Sequence, residues 1–155
     1  MIKYEIEKED IYIELDMIQN CISRMASNSF ALKGWYIAVL TAMFAFIATT
    51  DKSVICLPLG ILIVATIIFW YLDSYYLYLE RKYREKYNWI LENRVYSEDI
   101  SKEYLFDLDI SNNDKSESIN DKGFIAVMLN NVFKLLYIYP LAFELVMIII
   151  ITLTG

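Results

Sequence analysis

The sequence has no histidine at all, and that absence removes the commonest general base, pH switch and zinc ligand together. Four glycines and two prolines leave no glycine-rich loop, so a phosphate-cradling motif is absent as well. Cys21 and Cys56 stand too far apart to read as a metal pair, and two cysteines make no disulfide framework. Basic residues are few, 14 against 20 acids, giving a net charge of −6 and a pI near 4.7. That balance argues against nucleic acid as a partner. Serines and tyrosines are present, but without a histidine or paired base no nucleophile constellation forms, and the acids show no metal-ligand spacing. The expectation is a protein that is not an enzyme and needs no cofactor or metal.

What the sequence does have is apolar residues. They make up 57% of 155 residues, with a mean hydropathy of +0.37, above the share of a typical soluble domain. They gather into three blocks. The first runs from Gly34 to Thr49 and extends back to Phe30 past Lys33, a residue able to snorkel to lipid headgroups. The second, Val54 to Leu72, carries no charge, and its Pro58 falls in the first turn, where a missing N–H costs little. Thr50-Asp51-Lys52-Ser53 between them leaves room only for a tight turn, so these two spans form an antiparallel hairpin. The third block, Leu135 to Leu153, holds Pro140 and Glu144 but also the run Ile148–Ile151.

Orientation follows from the distribution of lysine and arginine. Lys3, Lys8, Arg24 and Lys33 precede the first span; Arg81, Lys82, Arg84, Lys86, Arg94, Lys102, Lys115 and Lys122 lie between spans two and three; Lys52 is alone in the hairpin turn. The acidic start, Met-Ile-Lys-Tyr-Glu-Ile-Glu-Lys-Glu-Asp, does not read as a signal peptide. The sequence thus predicts a multi-pass protein of the bacterial inner (cell) membrane, N-terminus cytoplasmic and C-terminus outside. Trp35, Tyr36, Trp70, Tyr71, Tyr75 and Tyr76 are placed as an aromatic belt on the cytoplasmic side.

Before the first span, Ile11, Leu15, Ile18, Ile22, Met25, Ser29 and Leu32 recur at spacings of three and four. No glycine or proline precedes Gly34, so one helix is expected to run from the cytoplasm into the bilayer. A helix lying on the membrane surface is the alternative, and the acids Glu5, Glu7, Glu9, Asp10, Glu14 and Asp16 on its polar side disfavour it. Span two continues through a second seam, Leu72, Tyr76, Leu79, Tyr83, Tyr87 and Ile90, to an end near Arg94. Packing an acidic helix on a basic one predicts a two-helix cytoplasmic stalk. The fold class is therefore all-α: three transmembrane helices with a long helical cytoplasmic stalk. Its parts are an amphipathic helix over residues 1–33, a two-span hairpin over 34–72 and a helical extension over 73–96. A polar flexible linker over 97–122 follows, then an interfacial helix with the third span over 123–155. Within the linker, Tyr104-Leu-Phe-Asp-Leu-Asp-Ile110 is the one apolar patch, expected either to tuck against the neighbouring helices or to dock a partner.

Ionisable residues inside a span are functional candidates by default, because stranding a charge there costs about 2.5–3.5 kcal/mol or more. Glu144, midway along the third block, is the pore-lining candidate: in a homo-oligomer one carboxylate per subunit would form a ring. Its alternatives are a protonated acid hydrogen-bonded to Thr41 or Thr66, or a position near the headgroups with the span's edge at Pro140. Asp73 is placed to pair with Lys33 or Arg24 across the hairpin and fix its register. The cluster Arg81, Lys82, Arg84 and Lys86 reads as a solvated helix face turned to lipid or a partner, with a nucleotide or headgroup phosphate as the sharper alternative.

The segments Arg24-Met-Ala-Ser-Asn-Ser-Phe-Ala-Leu-Lys-Gly-Trp35 and Trp70-Tyr-Leu-Asp-Ser-Tyr-Tyr-Leu-Tyr-Leu-Glu-Arg81 enter and leave a tight hairpin. In that layout, to about Arg94, the chain resembles small oligomeric bacterial inner-membrane proteins of the SLATT and RipA types. The SLATT resemblance implies an oligomeric membrane effector of antiphage defence, triggered by a sensor partner. The third span departs from the plain two-span pattern, and no sensor domain is recognisable. The partners expected are the lipid bilayer, further copies of the chain and a cytoplasmic protein. The function expected is a channel or membrane-perturbing effector gated through the cytoplasmic helices, with a non-conducting scaffold as the alternative and a transporter accessory subunit behind both.

Overall fold

The protein is described by a computed structural model covering residues 8–51, 54–95, 106–108 and 121–154. All regular structure among them is helical. Helix α1 runs unbroken from Lys8 to Ala48, and α2 from Cys56 to Ile90, continuing as a wider π-helical turn from Leu91 to Val95. Neither helix meets a breaker that stops it: Gly34 inside α1 and Gly60 inside α2 each cost only about 0.5–1 kcal/mol, and Pro58 is the third residue of α2, where no intrahelical N–H bond is due. Where the chain turns back, the described residues carry hydrogen bonds from Thr49 N to Phe46 O, Thr50 N to Ile47 O and Val54 N to Asp51 O.

After the linker, α3 spans Asp121–Met128. The chain breaks at Asn130, whose ψ of 148° is extended, and resumes as α4 (Asn131–Phe133), a π-helical segment (Lys134–Ile138) and α5 (Tyr139–Thr154). The third long helix therefore starts at Asn131, four residues before the expected Leu135. The π-helical turn lies directly ahead of Pro140, where the ring would otherwise press on the carbonyl of Leu136; widening the turn relieves that clash. Indole Nε1 of Trp70 donates to the Met128 carbonyl at 3.1 Å and fastens α3 to α2.

Three helices, within Lys8–Ala48, Cys56–Val95 and Asn131–Leu153, are long and apolar enough to cross a membrane. They pack around three clusters in a row. Ile47, Ile55, Leu59 and Leu62 close the hairpin end. Tyr36, Val127, Phe133 and Tyr137 form the middle. Ile11, Leu15, Ile18, Ile22 and Ile90 hold the stalk, where only α1 and α2 remain. Outward faces are apolar as well: Trp35, Phe46, Leu57, Val64, Phe143, Ile149 and Leu153 are exposed, as a lipid-facing surface requires.

The two seams fared differently. That of α1 lies where its periodicity puts it, with Met25 only half-buried. That of α2 is turned: Leu72 is exposed and Tyr76, Leu79, Tyr83 and Tyr87 are half-buried, while Asp73, Ser74, Glu80 and Lys86 occupy the buried positions with Ile90. The tyrosines are amphipathic and line the flank, because the inward face is needed for polar groups that have partners there.

Candidate functional site

Each long helix presents two polar residues seven positions apart, and seven residues is two turns, about 10 Å along one helix face. On α1 they are Ser29 and Tyr36; on α2, Thr66 and Asp73; on the third helix, Tyr137 and Glu144. All six are buried. Because α2 runs antiparallel to the other two, they assemble as two layers, each drawing one residue from each helix.

The layer nearer the stalk is centred on Asp73, which is fully buried. Its Oδ1 accepts the Ser29 hydroxyl and the Lys33 ammonium, the latter at 2.7 Å. Its Oδ2 accepts the Tyr137 hydroxyl at 3.0 Å. Lys33 also donates to Ser29 Oγ at 2.7 Å and lies 5.2 Å from the centre of the Phe133 ring. The lysine keeps a quarter of its side chain exposed, so this ion pair opens at one edge. Of the two bases placed to meet Asp73, Lys33 lies against it. Arg24 does not reach: its guanidinium donates to Cys21 Sγ on its own helix.

The second layer is centred on Glu144, with no exposure. Thr66 Oγ1 lies 3.2 and 3.4 Å from its two oxygens. The Tyr36 hydroxyl lies 3.3 Å from Thr66 Oγ1, so the two hydroxyls share a hydrogen bond beside the carboxyl group. Thr41 turns elsewhere and donates to the Ile37 carbonyl. The layers touch through the Tyr36 and Tyr137 rings, 4.8 Å apart between centroids. Beyond Glu144, toward the hairpin turn, lies only the apolar cluster with Leu40, Met43, Phe44, Met147, Ile148 and Ile151 packed on it.

In the subunit described, Glu144 points into its own bundle toward Thr66 on α2, the hydrogen-bonded arrangement that the sequence offers beside a pore ring. One expectation is corrected. Tyr36 does not belong to an interfacial belt, since it is fully buried beside Thr66, while its neighbour Trp35 is exposed.

A third polar centre lies in the stalk. Glu14, counted above with the solvated acids, is fully buried and forms an ion pair with Arg94, also without side-chain exposure. Its other oxygen, Oε1, accepts the backbone N–H of Phe106 at 3.1 Å. The Arg94 guanidinium is stacked 5.3 Å over the Trp89 ring. Of the basic cluster, Arg81 and Arg84 are exposed, Lys82 lies over the Tyr78 ring, and Arg84 pairs with Glu80 one turn earlier at 2.8 Å. Lys86 departs from the expected solvated face, being 2% exposed within the stalk. Burial raises Glu85 above the ordinary carboxylate range, with nearby Lys82 opposing it. No group of metal-ligating side chains occurs among the described residues. The apolar patch of the linker is seen through Phe106, Asp107 and Leu108, which tuck against the stalk; residues 97–105 and 109–120 lie outside the described structure.

Comparison with protein-family models, with curated proteins and with solved structures finds no match to this chain.

Proposed function

We propose that the chain is a homo-oligomeric protein of the bacterial cell membrane, with its stalk in the cytoplasm, that changes the permeability of the bilayer as a channel or membrane-perturbing effector. The observation that carries this reading is the pair of polar layers held by helices that continue without interruption into the stalk. Rotating or spreading α1 against α2 in the stalk is transmitted along rigid helices to Ser29–Asp73 and Tyr36–Thr66, and disrupting those contacts would turn Asp73 and Glu144 out of their internal partnerships. The arrangement described is then the closed state, stoppered by the apolar cluster at the hairpin end. The SLATT-like layout supports a place in antiphage defence, with the trigger acting on the stalk.

The test is ion flux from proteoliposomes holding the purified protein, wild type beside Glu144→Gln, Asp73→Asn and the stalk variant Glu14→Gln. Flux raised by Glu14→Gln, and changed in size or ion preference by either span substitution, is the expected result. Silence of the wild type and of all three variants, in protein that retains its helix content, overturns conduction.

One observation favours a second reading, a non-conducting scaffold that holds a cytoplasmic partner at the membrane. Among the described residues no buried side-chain polar atom lacks a hydrogen-bond partner within one subunit. A bundle so self-sufficient needs no pore to account for its charges. Loss of function on deleting residues 97–122, with Glu144→Gln harmless, selects the scaffold.

A further inference from the structure

Among the described residues the buried acids are Glu14, Asp73, Glu80 and Glu144. All but one of them meet a base: Glu14 is paired with Arg94, Asp73 with Lys33 and Glu80 with Arg84. Glu144 meets hydroxyls instead. Thr66 on α2 lies against its two oxygens, and Tyr36 on α1 stands behind Thr66. The stretches that surround it bring no counter-charge, since Gly34–Thr49, Val54–Leu72 and the rest of Leu135–Leu153 hold no charged residue. Lys33, the base nearest along α1, is held in the other layer by Asp73 and Ser29, and the Tyr137 hydroxyl also donates to Asp73. Hydrogen bonds satisfy the Glu144 oxygens, yet they leave a formal charge uncancelled. A carboxylate buried among apolar groups is kept only beside a counter-charge or as a neutral acid. The bundle meets that condition with a base for its other buried acids, and for this one it supplies none.

We propose that Glu144, with Thr66 and Tyr36, binds one small, singly charged cation inside each subunit, a proton or a sodium ion. The charge follows from the donor set. One carboxylate cancels one positive charge, whereas a divalent ion would stay half-neutralised, because Asp73, the other acid of the bundle, is already paired. Carboxyl and hydroxyl oxygens are hard donors, suited to a proton or an alkali ion and not to a soft metal. Thr66 Oγ1 lies 3.2 and 3.4 Å from the carboxyl oxygens, near enough for all of them to face one bare ion. Size follows from the walls. The stacked Tyr36 and Tyr137 rings on one side and the apolar cluster on the other present ring faces and aliphatic carbon, so the ion enters without its hydration shell. Glu144 comes from the third helix and Thr66 from α2, so the occupied site also clasps that helix to the hairpin. The site rests on the membrane reading proposed above and not on conduction.

Infrared absorption of the full-length protein in an ester-free detergent tests the site at about pH 8, where ordinary carboxyl groups are ionised. In choline chloride, whose cation is too bulky to enter, the wild type is expected to show the C=O stretch of a protonated carboxylic acid. Glu144→Gln should abolish that band. Thr66→Val, which keeps the side-chain size and removes the hydroxyl, should move it to higher frequency, and this shift alone assigns the band if circular dichroism shows Glu144→Gln unfolded. Exchanging choline for sodium chloride then identifies the occupant. A band that persists marks a proton site, and a band that gives way to carboxylate stretches marks one that takes sodium. No protonated-carboxyl band in choline, or a band that survives Glu144→Gln or is unmoved by Thr66→Val, overturns the site, whatever the flux measurement shows.

Discussion

Replacing Arg94 by leucine leaves Glu14 as an uncompensated charge inside the stalk, and the usual cost of breaking such a buried pair is about 3–5 kcal/mol. Glu14→Leu should be destabilising as well, because it removes the arginine's buried carboxylate partner. The double variant Glu14→Leu/Arg94→Leu should recover most of it, because a well-packed apolar pair replaces a desolvated ionic one; chemical unfolding of the four proteins in one detergent measures the cycle. At the stalk-side polar layer, Tyr137→Phe removes one donor to a carboxylate and should cost about 1.5–3 kcal/mol, the range for hydrogen bonds to charged groups. Tyr36→Phe, which loses a hydroxyl-to-hydroxyl bond in the other layer, should cost only about 0.6–1.7 kcal/mol. Equal losses for the two tyrosines would contradict the difference between the layers. On the stalk surface, Glu85 gives a direction with pH. Its carboxyl is raised, so the fold favours the protonated form: that contribution is present below the folded-state value and absent above it. Glu85→Gln should therefore leave stability at neutral pH unchanged or slightly higher, and flatten the acid-side slope of an unfolding titration.

At the scale of the helix, the hairpin is held in register at two places on the same pair of rods, Lys33–Asp73 near the spans and Glu14–Arg94 in the stalk. One extra residue turns everything beyond it by about 100°. Inserting a single alanine after Ile22 should thus separate Glu14 from Arg94 while leaving Lys33 on Asp73. A second alanine after Tyr83, on the facing stretch of α2, turns the Arg94 face away as well and should not restore the lost stability. Thermal unfolding of the single and double insertions reads this directly, and a single insertion without loss of stability would mean that the stalk helices are not rigidly joined to the spans.

Much of this scale was open to reading in advance, because breaker-free apolar runs and a turn too short for anything else leave few options. The α1 seam was likewise visible as a three-and-four repeat of aliphatic residues. The α2 seam misled because tyrosines share its period but cover a flank, while the inward positions hold Asp73, Glu80 and Lys86. Hydropathy marks such residues as outward, since it weighs each residue by its cost when buried alone and not by its partner across the helix pair. The layers did leave a trace: Ser29/Tyr36, Thr66/Asp73 and Tyr137/Glu144 share one seven-residue spacing. That recurrence was detectable without coordinates, whereas the pairing of Glu14 with Arg94, eighty positions apart, had no local signature.

For the whole molecule, large apolar side chains cover the outer faces of the spans, while among the described residues no buried side-chain polar atom lacks a hydrogen-bond partner. Subunits that associate therefore do so through apolar packing on those faces, not by completing one another's charges. If the homo-oligomer proposed above forms, its subunit number should survive Glu144→Gln and Asp73→Asn, as measured by mass photometry in nanodiscs. Dissociation on Glu144→Gln alone would place that carboxyl at a subunit interface and overturn the bundle described here.

The donor that satisfies Glu144 sits on α2, and this bears on how the chain is made. Ribosomal synthesis delivers α1 and α2 first, and if the chain enters a bilayer as proposed, Lys33 with Asp73 would let the pair do so with their charges already matched. The third helix emerges last carrying an acid with no partner of its own, and it can settle only against a hairpin that is waiting with Thr66. On the proposed membrane reading the order of assembly would be fixed: the hairpin has its Lys33–Asp73 pair without the third helix, whereas Glu144 finds its Thr66 partner only on the hairpin.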